Sequence, residues 1–425
     1  MRDSLRIALL TYRGNPQSGG QGVYTHYLSR ELTALGHEVT VYSGPPYPVL
    51  APGVRLVEVP SLDLYRPDDP FRRPKWHEFR STVDITEFAI MCGAGFPEPL
   101  TFSLRARRIL RTRRDEIDVV HDNQCLGYGL LGLLRDGFPV VATLHHPITV
   151  DRALDLAQAT TWRRRMTLRR WYGFLRMQKR VVRRMPRVLT VSESSARDIC
   201  RQMGARREQL AVVPVGVDTA LFRPVPEIGR VPGRLVTTAS SDVPLKGLVP
   251  LLEALAKVRT ERHAELVIVG RPQPGSPVLP TVKRLGLEDA VTLAGVVSAE
   301  RLVALYAEAE AAVVPSLYEG FSLPAIEAMA CGVPLVSTTG GALPEVVGRD
   351  GHTALLVPPG DPSALAVAIG RALDDAGLRR RLGEAGRQRV IERYSWGATA
   401  EATAEQYREA IASNRPAWPE RRTQC

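Results

Sequence analysis

The chain of 425 residues lacks the features that mark secreted, metal-binding or membrane-spanning proteins. Its five cysteines are odd in number and lack both metal-ligand and disulfide-framework spacing, which favours a reducing compartment. No apolar run approaches the roughly 20 residues of a membrane-spanning helix. The N-terminal stretch "MRDSLRIALLTY" is more typical of a first strand than of a signal peptide. We therefore expect a cytoplasmic protein.

Acidic residues are scarce in one segment of an already basic chain. The formal net charge is +11, and residues 151–187 hold twelve Lys or Arg against two acids. Such an excess favours an anionic partner, but because no nucleic-acid-binding motif accompanies it we expect no nucleic acid. An apolar stripe at helical spacing within 163–187 consists of Leu168, Trp171, Tyr172, Leu175, Val182 and Met185.

Three interpretations of this basic segment remain open. It is either a helix packed on the protein with a solvated basic face, or a groove for an acidic acceptor, or a peripheral contact with an anionic membrane surface. The last of these would place the protein at the inner face of the membrane.

Buried-strand and helix patterns alternate along most of the chain. The apolar run 6–12 precedes a Gly-rich turn, a helical pattern that stops at Gly36, and the strand-like "HEVTVYS". Strand, helix and strand at this spacing form a βαβ unit, which predicts a parallel sheet. The pattern pauses at the Pro- and Gly-rich 212–233 and then resumes, while 45–100 shows no assignable element. We predict an α/β fold of two Rossmann-like, doubly wound domains.

The predicted domains are an N-terminal one at 1–215 and a C-terminal one at 216–395, and the tail 415–425 is expected to be disordered. In open parallel sheets, ligands bind beyond the carboxyl ends of the strands. Two such domains would enclose a cleft between those ends. Candidate site residues are therefore expected directly after strands.

The stretch "YEGFSLPAIEAMACGVPLV" (318–336) combines a strand-following loop with the start of a predicted helix. Ser322 is suited to the N-cap, where its side chain is expected to cap the helix. The first backbone amides of a helix are free to bind an anion, helped by the helix dipole. Those amides are here the ones of Phe321, Ser322 and Leu323.

Glu319 precedes this helix and Glu327 lies inside it, so a carboxylate flanks the anion site on each side. A carboxylate repels a phosphate, and its expected partners are hydroxyl groups. A nucleotide-diphosphate sugar carries a ribose, a diphosphate and a sugar in line. We expect Glu327 on the ribose, the amides on the diphosphate and Glu319 on the sugar. Two solvated surface glutamates are the plain alternative, which the apolar neighbours disfavour.

The segment from Glu319 to Glu327 resembles the E-x7-E motif of the retaining, nucleotide-sugar-dependent glycosyltransferases of family 4, which have the GT-B fold. "CGVPLVSTTGGALPEVV" is similar to the family's C-terminal domain, and "VVPVGVDTALFRP" to its interdomain linker. "RYSWGATAEATAEQYREAI" resembles its terminal segment, which implies a helix at about 396–414 that crosses back to the N-terminal domain.

This resemblance implies the transfer of a sugar from a nucleotide-diphosphate sugar to an acceptor hydroxyl, with retention of configuration. It implies an acceptor-side N-terminal domain, a donor-binding C-terminal domain, no cofactor and no metal ion. Glu319 would hold the donor sugar without forming a covalent bond to it, because the acceptor attacks the front face.

Lys246 precedes a predicted helix and is a candidate cation for the diphosphate. The family has an arginine five or six residues before this lysine, where this chain has Ser240 and Ser241. Ser241 can donate a hydrogen bond to a phosphate but cannot neutralise its charge. Arg271, just after the strand "ELVIVG", is a candidate to compensate from a neighbouring loop.

Gly19 and Gly20 close the loop after the first strand, where glycine lets the backbone approach a phosphate or sugar closely. This loop lacks the G-x-G-x-x-G pattern, and no acid follows the second strand to hold an adenosine ribose, so a dinucleotide site is disfavoured. The resemblance implies that both glycines lie beside the donor phosphates and the acceptor. It also implies backbone contacts to the nucleotide base near Val296 and Val297.

Three histidines follow predicted strands: His121 in "IDVVHD", and His145 and His146 in "VVATLHH". A single histidine at a strand end is more often structural than catalytic, but two strands that deliver histidines to one sheet edge favour a functional role. The resemblance implies that His145 lies at the active site near the donor sugar. His146 is the rival for that position, and His121 and His146 are candidates to contact the sugar or the acceptor. No Cys, His and Asp cluster indicates a metal site.

Other function classes share this two-domain architecture. A glycoside phosphorylase requires pyridoxal phosphate on a lysine, and no such site is apparent. A sugar-nucleotide epimerase and a glycosyltransferase-like sugar-nucleotide binding protein stay open, the latter because of the missing arginine. The nucleotide base, the sugar and the acceptor are not determined by these motifs.

Overall fold

The computed structural model describes residues 4–14, 20–66, 68–239, 244–271 and 276–414. The predicted contacts of Gly19 and Ser241 and the predicted disordered tail at 415–425 lie outside these residues.

Parallel strands form the centre of both halves of the chain. In chain order the strands are β1 (Arg6–Thr11), β2 (Glu38–Ser43), β3 (Arg55–Glu58), β4 (Tyr65–Arg66), β5 (Asp69–Pro70), β6 (Val119–Asn123), β7 (Val140–Thr143), β8 (Arg187–Thr190), β9 (Leu210–Val212), β10 (Arg234–Thr238), β11 (Glu265–Val269), β12 (Val291–Gly295), β13 (Ala311–Val314), β14 (Leu335–Thr338) and β15 (Leu355–Val357). An N-terminal sheet has the order β3-β2-β1-β6-β7-β8-β9, and a C-terminal sheet has the order β12-β11-β10-β13-β14-β15. All pairs in both sheets are parallel, whereas β4 and β5 form a separate antiparallel pair.

Helices cover both sheets. They are α1 (Gly20–Ala34), α2 (Thr82–Cys92), α3 (Glu98–Arg111), α4 (Tyr128–Arg135), α5 (Thr149–Gln158), α6 (Trp162–Trp171), α7 (Leu175–Val182), α8 (Glu193–Asp198), α9 (Leu248–Arg259), α10 (Val278–Arg284), α11 (Ala299–Glu308), α12 (Leu323–Ala330), α13 (Leu343–Val347), α14 (Pro362–Asp374), α15 (Ala376–Arg393) and α16 (Trp396–Ser413). The predicted α/β class with two Rossmann-like domains is confirmed. The predicted boundary between residues 215 and 216 falls in the connection from β9 to β10.

The final helix α16 returns to the N-terminal domain, as the resemblance implies. It packs on α1 and contacts β6 and β7. Trp396 at its start stacks on Tyr27 of α1 with ring centroids 5.2 Å apart, and the Tyr407 hydroxyl lies 2.6 Å from a ring nitrogen of His121. These buried contacts tie the end of the chain to the N-terminal sheet.

The structure fills the unassigned stretch 45–100 with β3 to β5, α2 and the start of α3. Helix α2 escapes pattern analysis because its buried face carries charge: Asp84 and Glu87 are buried and both pair with Arg105. A helix that buries carboxylates shows no apolar periodicity. Ser81, which makes the N-cap hydrogen bond, is the remaining sign of α2 in the sequence.

The apolar stripe of the basic segment packs against the protein, so it is not free to meet a membrane. The segment is divided into α6, a 3-10 turn at Tyr172–Phe174 and α7. Leu175, Val182 and Met185 are fully buried in the N-terminal core, and Trp171 lies against the ring of Phe96 at 5.0 Å. Among the described residues, no helix combines the length and the apolar character that crossing a membrane requires.

Candidate active site

The loop between β13 and α12 carries an unusual backbone conformation at its last residue. Ser322 has φ +95°, in the left-handed region that residues other than glycine rarely adopt, at a strain of about 1–3 kcal/mol. It occupies the N-cap position of α12, but the predicted side-chain cap is wrong: the hydroxyl makes no cap hydrogen bond. This hydroxyl is buried and has no hydrogen-bond partner among the described residues.

The first amides of α12 are therefore left available. None of the backbone N–H groups of Phe321, Ser322 and Leu323 donates a hydrogen bond within the described part of the chain. With the unpartnered Ser322 hydroxyl they form a group of donors at the positive end of a helix. Such a group is suited to an anion.

Glu319 and Lys246 meet where the strand order of the C-terminal sheet reverses. Lys246 ends a 3-10 turn after β10, and Glu319 follows β13, the neighbouring strand. The Lys246 Nζ lies 2.8 Å from Oε1 of Glu319, which also accepts a hydrogen bond of 2.7 Å from the Ser316 hydroxyl. Such a reversal point is where doubly wound sheets bind their ligands.

Glu327 lies one turn inside α12 and is partly exposed. No ion pair to it is found among the described residues. Loss of hydration raises the pKa of its carboxyl to about 7. This carboxylate therefore changes its charge close to neutral pH and is free to accept hydrogen bonds from hydroxyl groups.

His145 follows β7 at the facing edge of the N-terminal sheet. Its Nε2 lies 2.8 Å from Oδ1 of Asn123, its backbone N–H donates to Gln124, and the ring of Tyr24 stands edge-on at 4.7 Å. Burial, and then the neighbouring His146, lower the pKa of His145 to about 3. The ring is therefore neutral at physiological pH.

The proposed contact of His121 with sugar or acceptor is wrong. His121 is completely buried, and its two ring nitrogens each lie 2.6 Å from a hydroxyl, those of Tyr407 and Thr143. Burial, and then the neighbouring His145, lower its pKa to about 3. This histidine joins the sheet to α16. His146 is partly exposed, with Nε2 3.0 Å from Oδ2 of Asp151.

Gly320, beside Glu319, lies in close contact with the N-terminal domain. Its carbonyl oxygen accepts from the Ser192 hydroxyl at 2.7 Å and lies 3.1 Å from the Ser195 hydroxyl. A Cβ atom added at Gly320 would lie 2.7 Å from the His145 carbonyl oxygen and 2.9 Å from Cβ of His146. Only glycine lets the Glu319 loop approach the N-terminal domain this closely.

Two further contacts flank this point. The Tyr318 hydroxyl donates to Oδ2 of Asp198 at 2.8 Å. The Glu345 carboxylate accepts from the backbone N–H groups of Glu193 and Ser194 at 2.8 and 3.1 Å. The N-terminal partners in all these contacts lie on α8 or at its N-cap, so this helix is where the C-terminal domain rests beside the Glu319 loop.

The remaining predicted residues lie at the start of a helix or in loops that follow strands. Gly20 begins α1 with open space beside its Cα. Val296, 56% exposed, and the partly buried Val297 follow β12. Arg271 is exposed after β11 and makes no ion pair within the described residues. No three His, Cys, Asp or Glu side chains in the described ranges converge on a possible metal position, and the absence of a metal requirement stays a prediction.

Sequence reasoning missed the residues that position this site. Ser192 and Ser195 belong to "VSESS" after β8, where polar residues follow a buried strand, so their location was detectable. Asn123 and Gly320 carry no comparable signal. A glycine next to a motif glutamate does not reveal that another domain lies against it.

Comparisons with known proteins identify the family of this chain. A family model described as Glycosyltransferase Family 4 matches residues 18–221, and one described as Glycosyl transferases group 1 matches 232–375. The MMP alpha-(1->4)-mannosyltransferase of Mycolicibacterium hassiacum is 54% identical over 96% of this chain and 99% of its own. The D-inositol 3-phosphate glycosyltransferase of Acidothermus cellulolyticus is 30% identical over 98% and 93%. Sucrose-phosphate synthase from Thermosynechococcus elongatus has a similar structure, with a TM-score of 0.76, 26% identity and coverage of 96% and 100%.

A relative more than half identical over nearly the whole of both chains, together with matching family models in each domain, decides the assignment. The chain is a glycosyltransferase with the GT-B fold and belongs to family 4.

Proposed function

We propose that this glycosyltransferase moves a mannosyl group from a nucleotide-diphosphate mannose to an acceptor hydroxyl, forms an α-(1→4) linkage and retains the anomeric configuration. The observation that carries the donor assignment is the group of unpartnered donors at the start of α12, flanked by Glu319 and Glu327. The mannosyl group and the linkage rest on the printed function of the 54% identical relative.

The donor would lie along α12. The amides of Phe321, Ser322 and Leu323, with the Ser322 hydroxyl, would hold the diphosphate, each charge-assisted hydrogen bond contributing about 1.5–3 kcal/mol. Glu327 would accept from the ribose hydroxyls, and Glu319 from those of the sugar. Lys246, 2.8 Å from Glu319, would stand between that carboxylate and the diphosphate and offset their repulsion.

In the reaction the bond from the anomeric carbon to the diphosphate oxygen breaks, and the nucleoside diphosphate leaves with the electron pair. Negative charge grows on the leaving group, where the α12 amides and Lys246 would stabilise it. The acceptor oxygen bonds to the anomeric carbon on the same face, and its proton passes to the departing phosphate. Closure around Gly320 would exclude water as a competing acceptor.

A two-step assay tests this function. Thermal shifts with UDP, GDP, ADP and dTDP sugars identify the base, and the stabilising mannose donor is then incubated with and without a mannoside acceptor. We expect nucleoside diphosphate release that depends on the acceptor, and an α-configured product by NMR. Release without acceptor would indicate hydrolysis or epimerisation, and a β product would contradict retention.

Donor affinity should weaken on the acidic side of neutrality. Because the pKa of Glu327 is about 7, its carboxyl is ionised at pH 8 and protonated at pH 6. A carboxylate accepts stronger hydrogen bonds than a carboxylic acid, so the Kd of the nucleotide sugar should rise about five- to tenfold between pH 8 and pH 6. Calorimetry without acceptor measures this Kd. The Glu327→Gln variant should bind the nucleotide sugar with a Kd that does not depend on pH. If the Kd of the wild type and of Glu327→Gln changed equally with pH, Glu327 would not be the group that binds the ribose.

Arg271 is the candidate for the cation that Ser240 and Ser241 do not supply. If Arg271 contacts the diphosphate, Arg271→Ala should raise the donor KM by about fivefold to tenfold, as expected for loss of one exposed charge-assisted hydrogen bond. Arg381→Ala, an exposed arginine on α15, is the control and should leave KM unchanged. An unchanged KM in Arg271→Ala would remove this residue from the site.

We also propose a peripheral contact of α6 with anionic lipid. Trp162 and Met166 are 68% and 40% exposed, and Arg165 and Arg169 lie beside them on the same helix face. Wild-type protein should sediment with anionic but not neutral vesicles. The double variant Arg165→Glu with Arg169→Glu should no longer sediment with anionic vesicles. The control, charge reversal at the exposed Arg380 and Arg381, should sediment as the wild type does. Wild-type protein that stays in the supernatant would end the proposal.

A further inference from the structure

The side chain of Asn123, at the end of β6, has a determined orientation. Its Oδ1 lies 2.8 Å from Nε2 of His145, and its Nδ2 lies 3.2 Å from the Gln21 carbonyl oxygen and 3.1 Å from the Thr25 hydroxyl. The Gln21 carbonyl can only accept, and the Thr25 hydroxyl already donates to it at 2.9 Å. The amide nitrogen must therefore face α1, and the amide oxygen must face His145.

This orientation fixes the protonation of the imidazole. An amide oxygen only accepts hydrogen bonds, so Nε2 of His145 must carry a proton. The pKa of about 3 keeps the ring neutral, and a neutral imidazole has a single N–H. The other nitrogen, Nδ1, therefore offers a lone pair, and it has no hydrogen-bond partner within the described residues.

We propose that Asn123 is a positioning residue that holds His145 as the Nε2–H tautomer, so that Nδ1 accepts a hydrogen bond from a substrate hydroxyl. This rests on the proposed function, in which His145 lies beside the donor sugar. The hydroxyl belongs either to the transferred sugar or to the acceptor. His145 then orients a hydroxyl and takes up no proton, which leaves the acceptor proton to the departing diphosphate.

The other titratable groups around His145 do not select this tautomer. Tyr24 of α1 presents its ring edge, and its hydroxyl lies 3.1 Å from that of Thr143. Burial raises the pKa of Tyr24, so the phenol is neutral. His121 and His146 use their own hydroxyl and carboxylate partners. The Asn123 amide is thus the polar side chain that faces the His145 ring nitrogens in the described structure.

Nitrogen NMR on the full chain labelled at histidine tests the tautomer without measuring activity. The chain has 8 histidines, and a His145→Gln variant assigns the signal. We expect the Nε2–H tautomer from pH 5.5 to pH 8. The Nδ1 signal should shift with nucleotide sugar alone if the sugar provides the hydroxyl, or only after an acceptor is added if the acceptor does. An Nδ1–H tautomer, or an Nδ1 signal that moves with neither, would overturn the proposal, whether or not transfer is observed.

Two variants separate tautomer control from support of the fold. Asn123→Leu removes the acceptor oxygen and should give mixed tautomers and a kcat about 10- to 100-fold lower at every pH. Asn123→Asp keeps an acceptor oxygen and should keep the Nε2–H tautomer, but its charge stabilises the imidazolium, so activity should fall on the acidic side only. Equal losses at every pH in both variants, with the tautomer unchanged, would indicate a merely structural role and overturn the proposal.

Discussion

Glu319→Gln should lower the rate of sugar transfer by at least about 100-fold while the protein stays folded. The substitution preserves shape but removes the charge that holds Lys246 at 2.8 Å, at the reversal point of the C-terminal sheet. It also weakens the hydrogen bonds that the carboxylate would accept from the sugar hydroxyls. Initial rates with saturating donor and acceptor measure the effect.

The control for this variant is Glu401→Gln, which changes an exposed glutamate on α16 and should retain the wild-type rate. Donor binding by Glu319→Gln should persist, because Glu327 and the α12 amides would still hold the nucleotide. A transfer rate near that of the wild type would remove Glu319 from the reaction.

Gly320→Ala should lower transfer by about 100-fold with little loss of thermal stability. The added Cβ would lie 2.7 Å from the His145 carbonyl oxygen, so the Glu319 loop and the N-terminal domain must move apart. The clash lies between domains and not inside either core, so both domains should melt nearly as in the wild type. A displacement of about 1 Å between a catalytic group and its substrate is enough for a loss of this size.

Gly397→Ala is the matched control, because a Cβ there meets no atom within 4 Å and the residue lies in α16. Its activity should equal that of the wild type. If Gly320→Ala is as active as Gly397→Ala, the contact between Gly320 and the N-terminal domain has no role in assembling the site.

The sequence predicts those parts of the fold that follow from local patterns. Apolar runs such as Arg6–Thr11 predict parallel strands, because a strand covered on both faces is apolar along its length. The loop from Glu319 to Ser322 is identifiable because two acids stand in an otherwise apolar stretch. The place of Lys246 after β10 follows from the rule that ligands bind at strand ends.

What the sequence does not predict depends on contacts between distant residues. His121 and His145 look alike in the sequence, yet His121 lies in the middle of β6, paired on both sides and covered by Tyr407 of α16, whereas His145 follows β7. Helix α2 is not recognisable from the sequence, because it buries two acids that are stable there only through their ion pairs with Arg105 of α3. Ser322 is a residue type that often caps helices, but its backbone is left-handed and its hydroxyl makes no cap hydrogen bond.

The most direct measurement is a crystal structure with the nucleoside diphosphate of the preferred donor bound. We expect phosphate oxygens within hydrogen-bond distance of the amides of Phe321 to Leu323 and of the Ser322 hydroxyl. The ribose should lie on Glu327, and Glu319 should face the bound donor. A nucleotide bound elsewhere, or phosphates that leave those amides without contact, would contradict this arrangement.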